Sequence, residues 1–245
     1  MRLFVRAAAF AAALVFLAPA PAAADELTTK VYGATLEPGT TELELRYGRL
    51  VGEEADGEDG LLLEVAHHFS SRFYGSVLLE TERDPGGDRR LSGIGLEGIV
   101  ALGKVAGVDT ALYGEYGINR HGADDVETKL LLEKRAGEFD ARLNLIAERE
   151  LERGAPIEFG YAASADTEVA GELRLGAMAV GELGTTRRLT THGEHFAGPN
   201  AKFEIEHLPG NGELAFEAGY LFAIGEAREE TNGLARFMVE YEFHF

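Results

Sequence analysis

Cysteine is absent from the 245 residues. That excludes a disulfide scaffold, a thiol nucleophile and any cysteine-bound metal, and it suits an exported protein that must avoid disulfide traps. Long apolar runs are also missing. Past the first residues nothing approaches the ~20 apolar residues of a membrane-spanning helix, so the mature chain has no helical span. Positive charge is in short supply, with 23 Lys and Arg against 42 Asp and Glu, a net charge of −19. Such a surface repels nucleic acid, which is therefore not an expected partner. It would meet anionic lipid headgroups only with divalent cations between them.

What is present begins with "MRLFVRAAAFAAALVFLAPAPAAADE": Arg2 and Arg6, an apolar run from Ala7 to Leu17, then Pro19, Pro21 and Ala22 to Ala24. These are the three parts of a secretory signal peptide, with cleavage expected near Ala24. Residues 1–24 are read as that signal and residues 25–245 as one domain. Loss of Arg2 and Arg6 takes the formal charge from −19 to −21.

From Thr41 onward apolar and polar residues alternate with period two, in segments of about ten residues separated by Gly, Pro, Asp and Asn. In "TELELRY", Leu43, Leu45 and Tyr47 oppose Glu42, Glu44 and Arg46; in "LLLEVAHHF", Leu63, Val65 and Phe69 oppose Glu64 and His68. About twelve such segments follow one another, ending in "FMVEYEFHF" (237–245). Ten residues is the length a tilted strand needs to cross a bilayer. No proline is expected inside these strands.

The connections keep a second rhythm. Long ones, among them "GEEADGEDG" (52–60), "RDPGGDRR" (83–90) and "LGTTRRLTTHGEHFAG" (183–198), alternate with short ones such as "SSR" (70–72), "GKVAG" (103–107) and "TEVAG" (167–171). Long outer loops and short periplasmic turns belong to an outer-membrane barrel. The expected fold is therefore all-β: a closed antiparallel transmembrane β-barrel of about twelve strands. The rival is an exported soluble sandwich or lipocalin-like barrel with its apolar face inward. In-strand glycines at Gly75, Gly93, Gly95, Gly114, Gly160, Gly176 and Gly219 point to a narrow, strongly curved barrel.

"YEFHF" ends the chain on Tyr241, Phe243 and Phe245 at alternate positions. It resembles the closing strand of Gram-negative outer-membrane β-barrels, whose terminal aromatic residue is read by the barrel-assembly machinery. That resemblance implies an assembly signal at Tyr241, Phe243 and Phe245, with outer-membrane lipid and lipopolysaccharide as surroundings. "FDARLNLIAERE", "EFGYAAS" and "EAGYLFAIGEAREETNG" resemble more narrowly a proteobacterial porin- and transporter-like group, similar in style to the family associated with phenol-degradation operons. No activity, cofactor or functional residue comes with that likeness.

Chemistry-bearing residues are sparse. His67 falls on an apolar face without a Ser at matching height, so a membrane-embedded lipid hydrolase has little support; an interfacial role suits it better. His192, Glu194 and His195 have metal-ligand types but loose spacing. Glu53, Glu54, Asp56, Glu58 and Asp59 form an acidic loop that fails EF-hand spacing. No catalytic, metal or cofactor site is expected. The opposite strand face is richer, with charges of both signs directed at an enclosed space, where they would either seal a small barrel or orient a solute. Arg46, Glu64, Glu80, Arg142, Arg174 and Arg236 are the candidate solute contacts. The expected function is a passive porin-like channel for small polar or charged solutes in the outer membrane. The alternative is a non-conducting barrel that presents its outer loops.

Overall fold

The computed structural model describes residues 27–190, 193–208 and 212–244. The expected signal peptide, His192 and Phe245 lie outside that range. Twelve strands follow in chain order: β1 (Thr40–Val51), β2 (Asp59–Ser70), β3 (Phe73–Arg83), β4 (Arg90–Val105), β5 (Val108–Asn119), β6 (Asp125–Ala136), β7 (Phe139–Glu150), β8 (Glu158–Ala170), β9 (Leu173–Thr185), β10 (Glu194–Leu208), β11 (Gly212–Gly225) and β12 (Gly233–His244). Each pairs antiparallel with its sequence neighbours, and β12 pairs with β1 from Thr40–His244 to Val51–Gly233, closing the barrel. Closure leaves no edge strand, so the wall can stand in lipid without unpaired backbone groups. No helix among the described residues is long and apolar enough to cross a membrane.

Alternation decides which side chains go where, because successive Cβ atoms of a strand point to opposite faces. Along β1, Glu42, Glu44 and Arg46 are buried while Leu43 is 44% exposed. The same outward set on other strands includes Leu63, Val65, Val77, Leu96, Leu112, Leu145, Leu175, Phe203, Phe222 and Phe237, all exposed. Together they make an apolar belt that only lipid would cover. That rules out the inward-apolar arrangement of a soluble barrel. Near one rim Tyr241 stacks on Phe243, with ring centroids 5.6 Å apart. Near the other, Tyr220 meets Phe222 edge-on at 5.1 Å. Aromatic rings at both rims match the two interfacial girdles of membrane barrels.

Three features depart from the sequence reading. The loop expected over 183–198 shrinks to 186–193, since β9 runs to Thr185 and β10 starts at Glu194. As a consequence Pro199 lies inside a strand. It pairs with Ala177 of β9, while pairing to β11 lapses at Gly198 and Pro199 and resumes in the same register at Asn200 opposite Gly219. A proline is tolerated there because its missing donor falls on the interrupted side. Gly198 permits the close approach, since a Cβ on it would lie 2.0 Å from the Tyr220 carbonyl oxygen. The turns read as 103–107 and 167–171 are tighter than expected, because β4 continues to Val105 and β8 to Ala170. Finally, residues 27–38, within the expected barrel domain, form no strand of its wall.

Candidate functional site: an occupied, carboxylate-lined lumen

Residues 27–39 pass through the inside of the barrel. The segment joins β1 at the rim of the short turns, and its far end reaches the outer half. There Leu27 packs with Leu50, Met178, Phe196, Leu221 and Leu234. Gly48 is what admits it: a Cβ at that position would lie 1.9 Å from the Leu27 carbonyl oxygen. Between these ends the segment is extended and itself alternates. Tyr32, Ala34 and Leu36 are 3%, 4% and 7% exposed and pack on a wall formed by Ala66, Tyr74, Ile99, Tyr113 and Leu131. Gly33, Thr35 and Glu37 alternate with them and border an open cavity, which the edges of Tyr32 and Leu36 also reach.

Apart from the Gly39 N–H, which donates to the His68 carbonyl of β2 at 2.9 Å, side chains of the wall bond the backbone of this segment. Asn144 of β7 acts as a peptide mimic: its Oδ1 accepts from the Tyr32 N–H at 2.8 Å and its Nδ2 donates to the Tyr32 carbonyl at 3.0 Å. Glu133 of β6 accepts from the Ala34 N–H, the Thr35 N–H and the Thr35 hydroxyl at 2.9, 3.1 and 3.0 Å. His68 Nδ1 accepts from the Glu37 N–H at 3.0 Å, which leaves its Nε2–H to donate to Glu42 at 2.6 Å. Arg236 Nη2 donates to the Thr29 carbonyl at 2.7 Å. Such buried groups need partners, and each has found one across the lumen.

Charge ties the same segment to the opposite side. Lys30 Nζ lies 2.5 Å from Glu44 and 2.8 Å from Glu240. The Tyr32 hydroxyl donates to Glu97 at 2.7 Å and accepts from Arg46 at 2.9 Å. Arg46 also pairs with Glu44 and Glu64, and the Tyr74 hydroxyl donates to Glu64. Lys129 Nζ stands 5.2 Å from the Tyr32 ring centroid and 4.5 Å from that of Tyr113, within cation–π range.

Of the candidate solute contacts, Arg46, Glu64 and Arg236 are therefore buried and engaged in holding or flanking the segment. Glu80 faces inward near the outer end of β3 and makes an interaction of its own. Only Arg142 and Arg174 line the cavity on the turn side, paired with Asp140 at 2.9 Å and Asp166 at 2.5 Å. Alternation puts Asn144 and Glu133 on the lumen face, but neither their hold on the segment nor Tyr32 is legible in the sequence. The available signal was that residues 27–39 precede the first alternating segment and so needed a place outside the wall.

Two cavities among the described residues flank the segment. One of about 430 Å³ opens toward the short turns, with Arg135, Arg142, Arg174 and Lys202 on one side and Glu204, Glu213, Glu217, Glu240 and Glu242 among its other walls. The second, of about 330 Å³, lies toward the long loops; its carboxylates are Asp125, Glu127, Glu148, Glu150, Glu158 and Glu182, and its only cation is Arg149. Ala162, Met178 and Leu221 belong to the apolar cluster around Leu27 that lies inside the lumen.

The register brings out a further pattern. Glu213 faces Glu242, which faces Glu42; that row continues through Ala66 and Ser76 to Glu97, Glu115, Glu127, Glu148 and Glu158. These are eight glutamates on one line of directly opposed residues. Because strands tilt in a barrel, such a line climbs as it goes round. It begins beside Gly212, at the turn-side start of β11, and ends on the first residue of β8, at the long-loop rim. Like charges directly opposite one another destabilise a sheet. Cations moderate the middle of the row, with Lys129 Nζ 2.8 Å from Glu127.

Among the described residues, those weighed as metal or hydrolase candidates do not converge. Glu194 and His195 are neighbours in β10 rather than in a loop, so they point to opposite faces, and His195 turns toward the Tyr161 ring at 5.9 Å. Asp59, read as part of an acidic loop, is the first residue of β2, fully buried, and held by Arg83 and Arg89. Asp56 accepts from the Gly52 N–H at 2.9 Å. His67 faces outward, 2.9 Å from the Thr41 hydroxyl and edge-on to Phe69.

Solved structures repeat this architecture. The NanC porin superposes with a TM-score of 0.57 at 9% identity, covering 83% of this chain and 100% of its own. The COG4313 outer membrane channel from Pseudomonas putida F1 gives 0.55 at 11% identity, over 86% and 97%. The KdgM porin in complex with disordered oligogalacturonate gives 0.54 at 11% identity, over 83% and 99%. The fold is that of outer-membrane porins. At these identities the likeness extends to the fold alone. No protein-family model and no curated protein matches the sequence.

Proposed function

We propose that the protein is a passive, porin-like channel of the outer membrane that favours cations over anions, and that its own N-terminal segment closes it at rest. The observation that carries this reading is the row of lumen glutamates from Glu213 to Glu158, which spans the barrel from rim to rim. Rings and lines of carboxylates select cations by their field, and a low-dielectric wall strengthens that field. The row also carries a cost in cross-strand repulsion that a purely structural lumen would have no reason to bear.

The segment is suited to be a gate because it forms no part of the sheet. Barrel closure runs directly from β12 to β1, so residues 27–38 can leave while the bond from the Gly39 N–H to the His68 carbonyl and every bond between strands stay in place. Its attachment at Thr40 directs withdrawal through the short-turn rim. The occupied lumen also favours a second reading, a non-conducting barrel that works through its outer loops.

Planar-bilayer recording separates the two. Under a tenfold KCl gradient, the reading as a channel expects currents whose reversal potential has the sign of cation preference, and a smaller potential after Glu127→Gln, Glu148→Gln and Glu158→Gln are combined. Anion preference would sink the selectivity reading. Silence both from the whole protein and from a variant lacking residues 27–37 would leave only the non-conducting barrel.

A further inference from the structure

Two groups of arginines on the long-loop rim contrast. On the β2–β4 side they are neutralised: Arg83 and Arg89 grip Asp59, and Arg90 reaches Asp84 at 2.6 Å and Glu82 at 3.0 Å. On the β7–β10 side, Arg153, Arg187 and Arg188 are exposed, and none of them forms an ion pair among the described residues, although Glu150 and Glu152 stand nearby in sequence. The loops that carry these arginines are stitched together. The Thr186 N–H donates to the Ile157 carbonyl at 2.8 Å, the Ile157 N–H to the Thr186 hydroxyl at 3.1 Å, and Arg187 to the Gly154 carbonyl. Reciprocal bonds between Thr185 and Arg188 at 2.8 and 3.0 Å make a tight turn with Arg187 at its tip and Arg188 at its closing position.

Apolar residues share this rim. Leu151 is 51% exposed and Leu189 72%, and Leu183, at the long-loop end of β9, is 38% exposed beside them. Guanidinium groups over exposed leucines, at the height where lipid tails give way to headgroups, form an amphipathic strip. Arginine is suited to phosphate because its planar fork binds two oxygens at once.

We propose that this strip binds a phosphorylated lipid of the surrounding leaflet, with Arg153, Arg187 and Arg188 on the headgroup phosphate and Leu151 and Leu189 among its acyl chains. The inference is independent of conduction through the lumen. It also reverses locally what the net charge implies globally. An acidic chain as a whole would need divalent cations to meet anionic lipid, but here the protein supplies the cations itself.

Binding of diphosphoryl lipid A to the purified full chain in detergent, with EDTA present, tests the idea by native mass spectrometry. The variant Arg153→Glu with Arg188→Glu keeps Arg187 and its bond to Gly154. It should bind the lipid at least about tenfold more weakly, and the wild type should bind the dephosphorylated lipid about tenfold more weakly as well. Arg90→Ala, on the other side of the rim, should bind as the wild type does. Retained heat-modifiable mobility shows that each variant is folded, and Arg188→Gln serves if the double variant is not. Equal affinity of wild type and variant overturns the proposal, as does equal affinity for the dephosphorylated lipid, or loss of wild-type binding in EDTA.

Discussion

Replacing Asn144 by alanine should open the channel without touching its selectivity row. Asn144 is completely buried and makes both hydrogen bonds to the Tyr32 peptide, at 2.8 and 3.0 Å. Alanine leaves a buried N–H and a buried C=O without partners while the segment is in place, and both regain water when it withdraws. Leaving a buried group unsatisfied costs about 1–3 kcal/mol. A shift of about 2 kcal/mol in favour of the withdrawn state multiplies its population roughly 30-fold. The absence of native cysteine makes this directly measurable. A single Ala34→Cys, at a position 4% exposed and packed against Ala66, Tyr74 and Leu131, should react with a maleimide only as fast as the segment leaves. Asn144→Ala should raise that rate roughly 30-fold, in step with open time in bilayers. If labelling rate and open time both stay within about twofold of the parent, Asn144 does not hold the segment and the gate reasoning fails.

Other outcomes follow from the same geometry. Deleting residues 27–37 should leave a folded, heat-modifiable barrel with a larger single-channel conductance; a misfolded product would show that the segment is needed to build the wall. Gly48→Ala should displace the outer end of the segment, because its Cβ would lie 1.9 Å from the Leu27 carbonyl oxygen, and labelling at Ala34→Cys should report it. At the long-loop rim, partial burial and then the neighbouring carboxylates Asp84, Glu230 and Glu82 push the Glu58 carboxyl above its usual range. A raised carboxylate stabilises the folded state below its unfolded pKa, and that contribution disappears as pH rises through the folded value. Loop proteolysis between residues 52 and 60 should therefore quicken from about pH 4 to pH 7, and Glu58→Gln should flatten the profile.

The sequence by itself determined the wall. Period-two alternation needs no knowledge of neighbours, because the pleat sends successive side chains to opposite faces. It therefore placed Glu42, Glu44, Arg46, Glu64 and Arg236 on one face and Leu43, Leu63 and Phe237 on the other before any partner strand was known. The alternation of long and short connections gave the two rims in the same way. Pro199 was missed inside β10 because its tolerance depends on which neighbouring strand lacks a partner, and that is a property of the assembled sheet. The glutamate row was likewise out of reach, since face is a local matter while register between strands is not.

Only the tertiary structure decided what fills the lumen. Tyr32 meets Asn144 across 112 residues of chain, and Lys30 meets Glu240 across 210. No local pattern encodes such contacts. A buried polar side chain shows only that it needs a partner, and closure of the barrel determined that residues 27–39 would supply it.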